Sequence, residues 1–144
     1  MLNSQFWPRP LAWSLAALIL VAAGCGGAGG ADGQAGFVSS EQGHFEGRFS
    51  PDSTPIELQQ IHSWTLELRD GDGAPVRDAR IAIQGGMPAH QHGLPTVPEV
   101  AGEVEPGRYR VDGIKFSMKG LWVFRLQVWA GALSDEVVWQ VELP

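Results

Sequence analysis

The chain has 144 residues, a formal net charge of −6 and a single cysteine. An acidic chain with scattered Lys and Arg lacks the basic footprint that nucleic acid requires, so DNA and RNA are excluded as partners. One cysteine cannot form an internal disulfide. The residues left after the N-terminal segments described next number about 100, enough for one core of ordinary domain size.

At the N-terminus Arg9 precedes an uncharged apolar run, Leu11 to Ala23, that ends in Gly24-Cys25. A positive start, a short apolar stretch and small residues before a cut site predict a secretory signal peptide over residues 1–24. The run is too short for a membrane span, which needs about 20 residues. Ala22-Ala23-Gly24-Cys25 resembles a bacterial lipobox, although Ala22 stands where Leu is more usual. The resemblance implies that Cys25 is acylated and becomes the mature N-terminus. The expected location is the cell envelope, on a periplasm-facing, lipid-anchored membrane protein. Loss of residues 1–24 removes Arg9 and no acidic residue, taking the net charge from −6 to −7.

Residues 26–42 are rich in Gly, Ala and Ser and offer little to bury. With Cys25 they are expected to form a flexible tether spanning roughly 20–25 Å as a random coil. The folded domain is then expected over 43–144. Its hydrophobic period is two: Trp64, Leu66 and Leu68; Ala79, Ile81 and Ile83; Trp122, Phe124, Leu126 and Val128; Val137, Trp139, Val141 and Leu143. Such alternation reads as half-buried strands, and no segment carries a helical stripe. Asp70-Gly71-Asp72-Gly73 with Pro75 reads as a hairpin connection, and Gly131-Ala132 separates the last two series. The expected architecture is all-β, an immunoglobulin-like antiparallel β-sandwich of about seven strands. The tryptophans read as core, although Trp129 is out of phase with Trp122–Val128 and is an alternative surface anchor. Asp112-Gly113 interrupts the phase between Tyr109, Val111 and Ile114, Phe116, Met118. Either a two-residue turn or a bulge within one strand accounts for it.

Between Gln84 and Arg108 lies a stretch that reads as a loop of about twenty residues, a length usually functional or disordered. It opens with Gly85-Gly86-Met87-Pro88-Ala89-His90-Gln91-His92-Gly93. Thioether sulfur is a soft ligand that selects Cu(I), and imidazole suits Cu, Zn and Ni, whereas Ca²⁺ and Mg²⁺ want clustered carboxylates that this loop lacks. Met87, His90 and His92 are therefore candidate copper ligands, provided a turn brings the two imidazoles together; Pro88 and the glycines favour one. If the strands around 62–69 and 79–84 form a hairpin, His62 lies opposite Gly85 and becomes a further candidate. Met118 joins the set on the turn reading of Asp112-Gly113 and moves to the far end on the bulge reading. With Cys25 outside the fold, a blue-copper centre lacks its thiolate. No general base is tied to the histidines and no nucleophile elbow is present, so no enzyme chemistry is legible. Copper sequestration or delivery, with an envelope metal-handling or oxidase-assembly protein as partner, is the leading reading. A metal-free interaction module of an envelope complex is the alternative.

The run Met87-Pro88-Ala89-His90-Gln91-His92-Gly93-Leu94-Pro95-Thr96, followed by Gly107–Phe116 and then Met118, Gly120 and Trp122, resembles the YtkA-like family of bacterial envelope domains. The resemblance extends over roughly 60–129. It implies an immunoglobulin-like sandwich, found alone or attached to envelope systems that handle metals and often supposed to bind copper. Met87, His90, His92 and Met118 match the family's motif positions; His62 does not belong to them.

Overall fold

A computed structural model describes residues 36–144. The expected signal segment, Cys25 and the tether as far as residue 35 lie outside the described residues. The described chain forms β1 (Val38–Ser39), β2 (Phe45–Pro51), β3 (Ile61–Asp70), β4 (Arg80–Met87), β5 (His92–Gly93), β6 (Glu99–Glu105), β7 (Arg108–Lys115), β8 (Gly120–Ala130) and β9 (Leu133–Leu143). Seven of these are seven residues or longer, and β1 and β5 are two-residue additions. They make two antiparallel sheets, ordered β1-β2-β3-β7-β6 and β5-β4-β8-β9, that pack as a sandwich. Among the described residues no helix is long and apolar enough to cross a membrane.

The period of two in the sequence becomes the inner face of each sheet, because successive side chains of a strand point to opposite sides. Trp64, Leu66 and Leu68 of β3 face Trp122, Phe124, Leu126 and Val128 of β8, and all are at most 1% exposed. Phe49 ties the layers together, with ring centroids 4.8 Å from Trp64, 5.6 Å from Phe124 and 5.9 Å from Trp139. Each buried aromatic removes roughly 150–250 Å² from water, on the order of 4–6 kcal/mol of transfer free energy at about 25 cal/mol per Å². Gly47 makes room for this packing, since a Cβ there would lie 2.5 Å from the Trp139 ring. The β8–β9 hairpin closes at Gly131-Ala132 between the paired Ala130 and Leu133, with Gly131 at φ 58.

Two expectations about connectivity are corrected, and a choice left open between two readings is decided. First, β3 and β4 do not form a hairpin. β3 pairs with β2 and β7, whereas β4 pairs with β8 and β5, so the connection crosses from one sheet to the other. Asp70 still nucleates a tight turn, its carboxylate accepting from the N–H groups of Asp72 and Ala74. The chain then follows β3 only as far as Val76, whose N–H donates to Leu68. Tyr109 Oη donates to the Val76 carbonyl at 2.8 Å and accepts from Ala79 N–H at 3.0 Å, pinning the crossover to β7. An alternating pattern states that a segment is a half-buried strand, but not in which sheet it lies.

Second, the stretch after His92 contains β6, paired along β7. Its register slips between Val100 and Gly102 and again between Glu103 and Glu105, which destroys the alternation that would have revealed it. Third, β7 runs through Asp112-Gly113 as one strand. The irregularity is a bulge, with Gly113 at φ 87 and a register shift between His62 and Trp64 of β3. Because β6 adds one more pass across the sandwich, Met118 nevertheless arrives at the end where β4 finishes.

The tether also ends earlier than expected. β1 pairs with β2, Ser40 is 5% exposed, and the guanidinium groups of Arg48 and Arg69 lie 5.1 and 4.0 Å over the Phe37 ring. Phe37 and Val38 supply the apolar surface that ties this segment to the sheet, so the ordered fold starts before Gly43.

Candidate functional site

The site lies where β4 runs out. After Met87 the chain makes a single 3₁₀ turn over Pro88–His90, with proline at the start where a missing N–H costs nothing. Gln91 then adopts the left-handed conformation, φ 54 and ψ 34, and its N–H donates to the Pro88 carbonyl. This reversal brings the chain back as β5, pairing Met87 with His92 and Gly86 with Gly93. The turn resolves the difficulty posed by the spacing of His90 and His92. Their rings stack with centroids 5.9 Å apart and planes 29° apart.

His92 is fixed on two further sides. Its ring meets the buried Trp122 edge to face at 5.8 Å, and its Nδ1 lies 3.2 Å from the Gly93 carbonyl oxygen. A proton on Nδ1 satisfies that carbonyl and leaves the Nε2 lone pair free. Trp122 in turn donates from Nε1 to the Met118 carbonyl at 3.1 Å, anchoring the β7–β8 connection beneath the histidine. Met87 is 2% exposed, and as the register partner of His92 it occupies the same side of the sheet. Its methyl packs against Gly120, where a Cβ would come within 2.9 Å of Met87 Cε. Gly86 is the residue that lets β5 close over β4: a Cβ there would meet the His92 carbonyl oxygen at 2.7 Å. A shallow cavity of about 280 Å³, lined by Gly86, Met87, Pro88, Gln91, His92 and Val123 among others, opens beside the turn.

The sequence candidates separate into two groups. His90 and His92 are brought together, Met87 is the strand partner of His92, and Met118 lies at the same end, 37% exposed, linked to His92 through Trp122. His62 also reaches this end of the sandwich but not these residues. It sits in the other sheet, 8% exposed, with Nε2 2.8 Å from the Glu57 carbonyl oxygen. Its ring neighbour is Phe116 at 6.2 Å, and Phe116 packs on Trp122 at 5.3 Å, so two aromatic rings stand between His62 and His92. The in-sheet pairing that would have set His62 against Gly85 does not exist. Among the described residues no group of three or more His, Cys, Asp or Glu side chains is placed to hold a metal ion. The side chains seen side by side at this turn are the two imidazoles, with Met87 next to His92 in the strand register.

Sequence reasoning missed two parts of this site. Trp122 reads as plain core because its phase matches Phe124 and Leu126; that its edge also supports His92 depends on where β5 folds back. Gln91 carries no propensity signal for the left-handed conformation, and only the shortness of the turn demands it. Trp129, weighed as a surface anchor, is covered on the outer face by Arg80, whose guanidinium lies 4.0 Å over its ring.

A sandwich of two antiparallel sheets with a histidine–methionine turn at one mouth defines the class of the protein. The chain belongs to the YtkA-like family, whose sequence profile matches residues 41–127. No curated protein matches the sequence. Among solved structures the ZirS C-terminal domain is similar at 14% identity and a TM-score of 0.41, over 99% of this chain and 88% of that one.

Proposed function

We propose that the protein is an envelope lipoprotein that binds copper for sequestration or delivery through Met87, His90 and His92, with Met118 as an accessory thioether. In this reading Cys25 carries the lipid, the domain faces the periplasm, and the partner is an envelope metal-handling or oxidase-assembly protein. The protein binds its cargo and catalyses nothing. The observation that carries the proposal is the side-by-side placement of the two histidine rings on a turn whose first residue, Met87, is the strand partner of His92. An imidazole–metal bond of about 2.0 Å puts a ring centroid about 3.1 Å from the ion, so two rings on one ion lie at most about 6.3 Å apart. The observed 5.9 Å fits within that limit. A donor set of two imidazoles and soft sulfur, with no carboxylate among them, favours copper over hard cations.

The test is titration of the purified protein with Cu(I) and Cu(II), beside a variant carrying His90→Ala and His92→Ala. Loss of at least tenfold in affinity in the variant supports the site; equal binding by the two proteins overturns it. With Cu(II), quenching of tryptophan fluorescence that is largely lost in Trp122→Phe would locate the ion beside that ring. A Cys25→Ser variant that still partitions with membranes would remove the lipid anchor from the reading.

A further inference from the structure

We infer that the open edge of β4 is a docking groove for an extended, basic segment of a partner protein, added as an extra strand. β4 is paired with β8 from Arg80 to Gly86, but on its other side β5 covers only Gly86 and Met87. Leu94 N–H donates to the Gly85 carbonyl on that second side. Backbone groups of a strand alternate between its two edges. The N–H and C=O groups of Ile83 and Ile81 therefore project to the same edge as those of Gly85, and no described strand pairs with them there. Their side chains point the other way round the pleat, into the mouth between the sheets, where both remain half-buried.

The opposite wall of that mouth is β6 and the segment leading to it. Together they enclose a groove of about 820 Å³, lined by Ile81, Ile83, Val97 and Val100, with Asp78, Glu99 and Glu103 and one cation, Arg80, among its charged residues. Val97 is 83% exposed, a large apolar side chain presented to solvent beside the free edge. The usual protections of a strand edge are missing from β4. It carries no proline and no lysine, and its one cation, Arg80, is folded over Trp129 on the outer face. β6, by contrast, is broken by two register slips and studded with glutamates.

Charge selects the occupant. Asp78 and Glu99 have no ion-pair partner among the described residues, whereas Glu103 is engaged by Arg77 and by the N–H groups of Asp78 and Gly107. With Arg80 held over Trp129, the two unpaired carboxylates leave the groove acidic, which disfavours a second copy of this chain, since it would bring two acidic grooves together, and favours lysine or arginine. The occupant is an extended segment of about six residues, roughly 20 Å at 3.3 Å per residue, with apolar side chains entering the groove and basic ones between them. Such a strand continues the line of β5, so a partner docked there abuts Leu94, two residues from His92. The inference stands without copper binding.

The probe is a blocked hexapeptide of alternating Lys and Val, added at millimolar concentration to ¹⁵N-labelled protein. Expected is a slowing of amide exchange at Ile81 and Ile83 of at least tenfold, with Leu126 unchanged. The same peptide N-methylated at alternate amides, and one with Glu for Lys, are expected to protect neither residue. Val97→Lys, at an exposed position that leaves the fold intact, is expected to weaken protection by the Lys-Val peptide. Absence of protection by that peptide overturns the proposal, as does equal protection by the N-methylated or the Glu form. Protection that grows with protein concentration in the absence of peptide would make the occupant a second copy and overturn it too.

Discussion

Gly86 and Asp135 illustrate how single residues set the two ends of this molecule. At Gly86 the missing side chain is what lets His92 approach, since any Cβ must displace the backbone of β5 rather than a yielding side chain. Gly86→Ala is expected to detach β5 from β4, lower copper affinity at least tenfold, and cost about 1–3 kcal/mol in urea unfolding. At the opposite end Asp135 is 1% exposed, and burial pushes its carboxyl upward. Hydrogen bonds from Ser40 Oγ and from the N–H groups of Gln42, Glu136 and His44 outweigh that effect and hold it below the usual carboxylate range. A depressed folded value means that the ionised group stabilises the fold above the unfolded value of about 3.9, and that this contribution is lost as pH falls through the folded value. Asp135→Asn is therefore expected to cost about 1–3 kcal/mol near neutrality. In denaturation curves at stepped pH, the gap between the two proteins should close below about pH 4.

Among the elements, the β3–β4 crossover decides most about the site. It carries β4 into the second sheet, where β4 ends beside Trp122 instead of beside His62. Tyr109 holds the crossover through both its donor and its acceptor capacity. Tyr109→Phe keeps the ring in the core but leaves the Val76 carbonyl and the Ala79 N–H without partners. A loss of about 1–3 kcal/mol in chemical denaturation is expected, with no change in copper binding, because the crossover joins the sheets at the end away from the histidines. An equal loss of copper binding would mean that the crossover positions the site as well as the sheet. The hidden strand β6 offsets the bulge at Gly113: with one more pass across the sandwich and no turn at Asp112-Gly113, Met118 is still delivered to the end where β4 finishes.

For the whole molecule, the interlayer core and the histidine turn are nearly independent. The core is a continuous stack of Phe49, Trp64, Phe116, Phe124 and Trp139. The turn contributes one buried side chain to it, Met87, while His90 and His92 are exposed. Removing both imidazoles is expected to shift unfolding free energy by no more than about 0.5 kcal/mol, as for other exposed positions. Unfolding of the His90→Ala, His92→Ala protein without metal checks this, and a larger loss would show that the stacked rings support the fold. Such independence suits a scaffold whose mouth carries the chemistry.

The amino-acid sequence alone determined the sheet character, because alternation of apolar and polar residues is a local property that each strand carries by itself. It also determined the chemical identity of the Met87–His92 turn and the presence of one compact β domain, all readable without knowing any long-range contact. Only the tertiary structure decided which strands are neighbours, whether His62 belongs with His92, and at which end of the sandwich Met118 emerges. The reason is that an inward-facing strand looks the same in either layer of a sandwich: its pattern records that a face is buried, not what buries it.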